Sequence, residues 1–406
     1  MALKFIGSRD EISSLNLTEW NVKDNRANGS LYDELDEVFY KLDYPLPIKK
    51  DKEDYDSCRI YLFKNRFGVK EDHCFKMEIN NKRSGIVFPL KLFSNADILS
   101  NMAESKDKNF LLSFLHIGFY NLLQNNKISC NPIQKSLLLE KGSAIKIEDF
   151  YDNETIVLLY HPTNTDSFEN FEIRKFYPSL LKKGFVPILA EKDFNDIEKI
   201  EIAVEKHPFY NLNFYDTINF EEVRSELIDE KYINQIFGTI LKSSLTPVSR
   251  FLLLYQVIEF LMDKIALEHY QKKFPFDIDF YYLMWATRDA KSYRDVYDNL
   301  KQIQNAINKS IDPIKEETKI ISKLFTENSK LKIDNYSSFI EASKKIIGEK
   351  KCLTLEDYVY QLRNKIVHDY HNLSASYDNL DHLLINLNIE FEIIISDLVI
   401  NYEQYQ

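Results

Sequence analysis

The chain has 406 residues, with 52 Lys and Arg against 63 Asp and Glu, a formal net charge of -11 and only 9 glycines. The glycines stand at 7, 29, 68, 85, 118, 142, 184, 238 and 348, too far apart for a dinucleotide fingerprint or a phosphate-binding loop, which need two or three within a few positions. An acidic chain is also no general nucleic-acid coat, so any nucleic-acid contact has to come from a local basic patch.

The length suits two or three domains of about 150 residues each. The 44% hydrophobic and 14% aromatic content supplies packed cores. Helices are expected over Leu31 to Leu42 and Phe220 to Leu241. Short β-prone runs lie between and around them: Arg59 to Phe63, Phe75 to Ile79, Gly85 to Phe88, Ile156 to Tyr160 and Phe185 to Leu189. Asn80-Asn81 is a hairpin turn between the second and third of these. Pro187 confines its strand to a sheet edge. The longest apolar stretch, Phe110 to Leu123, is broken by Ser113, His116 and Asn121 and is too short for a bilayer. Residues 1–242 therefore read as a mixed α/β domain of unassigned fold.

The pattern changes at residue 243. Beyond Gly238 only Gly348 remains, and a stretch poor in glycine permits long helices. Thr246 is an N-cap and Pro247 a first helical residue. Phe251, Leu254, Tyr255, Ile258, Leu261, Met262 and Ile265 then repeat at three and four, as one buried helical face does. Tyr293, Val296, Tyr297, Leu300, Ile303 and Ile307 form a second stripe, and Asp312-Pro313 opens a helix running to about Phe325. Thr354 with Asp357 is a capping box, followed by a face of Leu355, Tyr358, Val359, Leu362 and Ile366. A last helix carries Leu380, Leu383, Leu384, Leu387, Phe391, Ile394, Ile395, Leu398 and Tyr402. The aromatic stretch Pro275 to Trp285 is a loop or a short helix. Residues 243–406 thus read as an all-α helical bundle behind an α+β N-terminal domain.

The legible chemistry lies in Gln361-Leu362-Arg363-Asn364-Lys365-Ile366-Val367-His368. Histidine titrates near neutral pH and serves as a general base. Arginine stays charged and offers paired donors to phosphate. Asn364, four residues before His368, shares its helical face and could orient the ring or donate to phosphate. Arg363, five residues before, is about 140° away round the helix. It must curl round, or the helix must distort near His368. The plainer reading of the pair is a helix-end contact with a histidine favoured by the dipole.

Arg-Asn followed by three residues and His resembles the signature of the HEPN superfamily. The helix from Phe251 to Ile265, with Glu259 midway, is similar to the first helix of its Apea-like group. The resemblance covers roughly the last 160 residues. It implies a metal-independent endoribonuclease in which a base takes the 2′-hydroxyl proton and the oxygen attacks the adjacent phosphorus. Arg363, His368 and Asn364 would be catalytic, with Glu259 holding the Arg363 head group. It also implies a homodimer with both motifs in one cleft. Lys365 and the cluster Lys344, Lys345, Lys350 and Lys351 would form a basic rim for RNA, though such lysines also suit a merely solvated face. Tyr370 and Tyr377 are candidate base-stacking groups.

The spacing of His368, His371 and His382 with Asp369 and Asp381 fits no standard zinc or di-iron pattern. No metal and no cofactor are expected. His73, His116, His161 and His207 stand isolated. The scattered Cys58, Cys74, Cys130 and Cys352 suit a reducing, cytoplasmic setting, and no basic-then-apolar leader opens the chain. The expected function is RNA cleavage, including of tRNA, in anti-phage defence by abortive infection or as a toxin effector. The N-terminal domain would be the sensor or brake, responding to a phage-derived trigger or regulatory partner. The alternative is a non-catalytic scaffold of the same family that dimerises and binds RNA, nucleotide or a partner. A toxin paired with a nucleotidyltransferase antitoxin is disfavoured by the long first domain.

Overall fold

The computed structural model describes residues 3–7, 10–23, 26–34, 37–44, 58–95, 97–100, 108–124, 130–134, 146–161, 171–190, 211–243, 245–273, 313–348 and 354–403, and the single positions 137, 193, 197, 200, 295 and 298. The chain divides into two compact units. One comprises Met1–Glu222 with Phe237–Ser244; the other comprises Val223–Ile236 with Leu245–Gln406.

The first unit is α+β. Strands β1 (Lys4–Ile6), β2 (Ile12–Lys23), β3 (Arg26–Asp33), β4 (Val38–Tyr44) and β8 (Ile133–Gln134) form a sheet in the order β4-β3-β2-β1-β8. A second sheet has the order β10-β5-β9-β7-β6-β11. Its members are β5 (Arg59–Asn65), β6 (Phe75–Ile79), β7 (Lys82–Pro89), β9 (Ile156–Tyr160), β10 (Phe185–Pro187) and β11 (Thr217–Phe220). All five residues of β9 are buried, which explains its unbroken apolar sequence. Asn80 and Asn81 take φ of 49° and 63°, so the β6–β7 connection is a two-residue turn. Pro187 lies on the edge strand. At Gly85 an added Cβ would fall 1.9 Å from the Leu159 carbonyl oxygen, so glycine is required where β7 meets β9. Helix α1 (Lys108–Gln124) touches β2 of the first sheet and β5, β7 and β9 of the second. Two short helices, α2 (Glu148–Tyr151) and α3 (Tyr177–Lys182), also belong to this unit.

Two expected helices are corrected. Residues 31–33 end β3 and residues 38–42 lie in β4, with φ of 54° at Glu37 just before β4. Leu31 and Asp33 are buried with Tyr32 only half-buried between them, an alternation of period two that pairing with β2 reinforces. Residues 220–241 are not one helix either. Phe220 ends β11; α4 (Ser225–Ile228) and α5 (Lys231–Gln235) follow, and a π-helical turn covers Ile236–Ile240. Extended backbone at Arg224 and Glu230 interrupts the run.

Every described element after residue 245 is helical: α6 (Pro247–Lys273), α7 (Pro313–Ser322) with a π-helical continuation over Lys323–Asn328, α8 (Ser337–Ile347), α9 (Leu355–His368), α10 (Tyr370–Ser376) and α11 (Leu380–Asn401). The Ser249 N–H donates to the Thr246 hydroxyl at 3.2 Å, and the seven-residue stripe beginning at Phe251 is buried throughout. Phe391 of α11 stacks on Phe251 of α6 and on Phe339 of α8, with centroids 5.1 and 5.7 Å apart. A polar seam runs down α11 through this core. Asn388 donates to the Pro247 carbonyl at 2.7 Å, and Glu392 faces Arg250 at 3.4 Å. The stripe of residues 293–307 and the stretch 275–285 lie outside the described residues, apart from positions 295 and 298.

Candidate active site

Helix α9 carries the site. The Asp357 N–H donates to the Thr354 hydroxyl and the Thr354 N–H to the Asp357 carboxylate, at 3.3 and 3.2 Å. Two donors at the helix start are thereby satisfied reciprocally. Leu355, Tyr358, Val359, Leu362 and Ile366 are buried, and α9 packs against α8 and α6. That burial fixes the helix rotation and turns Arg363, Asn364 and His368 away from the core.

Arg363 resolves its angular mismatch with His368 by side-chain reach. Residues 355–368 stay α-helical. The guanidinium Nη1 donates to His368 Nε2 at 3.0 Å and to Asn364 Oδ1 at 3.2 Å. Nη1 carries two hydrogens, so each acceptor takes one. Asn364 thus contacts the arginine and not the imidazole. A donor aimed at Nε2 needs a lone pair there, so this contact places the proton of a neutral His368 on Nδ1. The guanidinium carbon lies 5.8 Å from the ring centroid of Tyr255, a buried residue of α6. Among the described residues both hydrogen bonds of this guanidinium use Nη1, which leaves Nε and Nη2 with the three hydrogens of a fork that suits a phosphate.

Around this centre the expected residues divide. Glu259 is half-buried on α6, one helical turn beyond Tyr255. Burial, and then the Glu259 charge, raise the pKa of the Tyr232 hydroxyl. Lys365 is paired with Asp369, one turn on, so its charge is partly neutralised. Asp369 also accepts from the Asn372 side chain, and its N–H closes the last turn of α9 on the Lys365 carbonyl at 3.1 Å. Tyr370 is exposed two residues beyond His368. Lys344 and Lys345 are exposed in the last turn of α8, where helix-end carbonyls favour cations. The Tyr377 hydroxyl donates to the Lys345 carbonyl at 2.7 Å, which ties its polar end into the fold. Lys350 and Lys351 lie outside the described residues.

Two further residues belong to the site. Tyr255 reads in the sequence as one member of a core stripe, and nothing local marks its contact with α9. For Asp369 the available signal is its i+4 spacing from Lys365, a pairing not drawn from the sequence. Among the described residues, no group of three His, Cys, Asp or Glu could hold a metal ion, and no helix is long and apolar enough to cross a membrane. Compared with family models, curated proteins and solved structures, the chain finds no match.

Proposed function

We propose that this chain is a metal-independent endoribonuclease of the HEPN type, acting as a defence or toxin effector. The observation that carries the reading is the 3.0 Å contact between Arg363 and His368. It joins a base and a phosphate-binding cation on one accessible helix end. In the reaction, His368 Nε2 takes the 2′-hydroxyl proton and the 2′-oxygen attacks the adjacent phosphorus. The bond to the 5′-oxygen breaks, that oxygen takes up a proton, and a 2′,3′-cyclic phosphate remains. Arg363 neutralises charge on the phosphate oxygens in the transition state. As its donors turn to the phosphate, Nε2 is released to act as the base. Tyr370 and the lysines of α8, all exposed, would meet neighbouring bases and phosphates.

A homodimer suits this reading. Tyr360 and Val367 are 37% and 42% exposed, and they flank Arg363 and Asn364 at helical spacing along α9. A second copy covering them would bring two motifs together. The β-rich unit is assigned the sensing or restraining role, since an unrestrained ribonuclease is lethal to its host.

Purified protein incubated with total RNA in EDTA tests the proposal. Cleavage leaving cyclic phosphate ends, lost in His368→Ala and Arg363→Ala, is the expected result. Intact RNA would favour a non-catalytic scaffold of the same family. One observation favours that second reading: Arg363 and Lys365 both have partners within their own chain.

A further inference from the structure

We infer that Tyr255 is a positioning residue: its ring holds the Arg363 guanidinium so that one nitrogen caps His368 Nε2 and the opposite edge stays open for phosphate. The inference rests on the ribonuclease reading of the site. It concerns a residue on another helix that the motif itself does not include.

The argument starts from helix geometry. Arg363 and His368 diverge by about 140° around α9, so the guanidinium has to be drawn round the helix to meet the imidazole. An arginine side chain surrenders much rotamer freedom in adopting a single path. Asn364 Oδ1, 3.2 Å from Nη1, supplies one anchor. That anchor is half-buried and sits on the same helix as the arginine. Tyr255 supplies the other, from α6. Its ring is 6% exposed and lies in the stripe with Phe251, Leu254 and Ile258, so its place is set by the core of the bundle. The ring face attracts the cation from the side. It therefore consumes none of the five N–H donors, which lie in the guanidinium plane. Nη1 spends two hydrogens, on Asn364 and His368, and the Nε–Nη2 edge keeps three. A carboxylate in the place of Tyr255 would compete with substrate phosphate for those donors. An aromatic face holds the same cation and leaves its edge open.

The consequence reaches His368. The arginine donor on Nε2 fixes the neutral imidazole with its proton on Nδ1. Tyr255 therefore sets the resting tautomer of a ring that it acts on only through Arg363. It also keeps the lone pair needed for proton abstraction on the nitrogen nearest the arginine.

The test uses the full chain without RNA. In a long-range proton–nitrogen correlation spectrum, neutral His368 of the parent, identified by its loss in His368→Gln, should have a protonated Nδ1 and an unprotonated Nε2. Tyr255→Phe should keep that pattern. Tyr255→Leu, which retains apolar bulk without a π face, should shift His368 toward the Nε2-protonated form. If Tyr255→Leu does not fold, mono-, di- and trifluorinated phenylalanine at position 255 weaken the ring's negative face in steps while keeping its shape. The shift should then grow with each fluorine. An unchanged His368 pattern in Tyr255→Leu, or across the fluorinated series, overturns the inference, as does an Nε2-protonated ring in the parent. With RNA, Tyr255→Leu should lower kcat roughly tenfold with KM little changed, because the arginine acts mainly on the transition state. The spectra and the cleavage assay fail independently. A parent that leaves RNA intact sinks the ribonuclease reading whatever the tautomer. A parent that cleaves RNA while its tautomer ignores position 255 sinks only the role of Tyr255.

Discussion

Trp20 on β2 donates its indole N–H to Nε2 of His116 on α1, 3.2 Å away and 96 residues on. The bond requires a neutral imidazole. Burial pushes the His116 pKa from 6.5 down to about 4, and burial is also the main cause of the fall of His73 to about 4. Both folded values lie below the unfolded one, so between those limits the unfolded chain binds more protons. Stability is full above pH 6.5 and falls as pH drops toward 4. Each histidine contributes a slope of up to about 1.4 kcal/mol per pH unit. Urea unfolding followed by tryptophan fluorescence at pH 7, 6 and 5 should show the combined fall, and His116→Gln should remove about half of it. A pH-independent midpoint would contradict the assignment.

On the proposed reading, removing the His368 or Arg363 side chain should abolish cleavage without unfolding the chain. His368 is exposed and Arg363 half-buried, so His368→Ala and Arg363→Ala should melt close to the parent. Cleavage and toxicity on expression should fall by about 10²- to 10⁴-fold, the usual contribution of a positioned general base. Variants as toxic as the parent would end the ribonuclease proposal. Lys365→Ala should have a small effect on melting, because an i,i+4 helix ion pair contributes about 0.3–0.5 kcal/mol and this one is only half-buried.

The first unit holds a buried ion pair with a definite cost of breakage. One carboxylate oxygen of Asp193 accepts from Lys242 Nζ at 2.6 Å and from the backbone N–H groups of Leu189 and Ala190 at 2.7 and 3.0 Å. Burial alone would raise the Asp193 pKa; these donors outweigh it and hold the carboxyl below its usual value. Lys242→Met leaves that charge uncompensated and should destabilise by about 3–5 kcal/mol. Adding Asp193→Leu should recover part of the loss. Denaturant titrations of the two variants check both signs.

The exposed face of α9 predicts an assembly. Replacing both Tyr360 and Val367 by Glu places charges on each side of the motif. Sedimentation should change from dimer to monomer while circular dichroism stays helical. A double variant that sediments as the parent does would show that the chain does not associate through this face.

Legibility in the sequence followed local physics. Thr354 and Asp357 announce α9 because a capping box is short-range, and the stripe from Phe251 to Ile265 announces α6 because burial imposes its period. The sheet from β1 to β4 escaped notice because its strands are rich in Ser, Asn, Glu and Lys and acquire their identity by pairing. Leu31 to Leu42 imitated a helix for the same reason. Within the site, the motif marked Arg363, Asn364 and His368, but the contact of Asn364 Oδ1 with the arginine follows from side-chain reach that the spacing does not encode. Tyr255 was invisible as a partner because only the packing of α6 beside α9 brings it there.

The chain does not pass from one unit to the other in a single step. It lends Val223–Ile236 to the helices, returns for Phe237–Ser244, and then leaves again. Tyr232 in the loaned stretch packs on Phe260, with centroids 4.9 Å apart, and Glu230 there pairs with Lys264. No single peptide bond therefore separates two whole parts. A truncation beginning at 243 strips the helices of Tyr232 and Glu230, and one ending at 222 strips the β-rich unit of Lys242. A protease or a frameshift that separates the units would therefore deliver a damaged one, and on the proposed reading the helical unit could not be freed intact from its restraint.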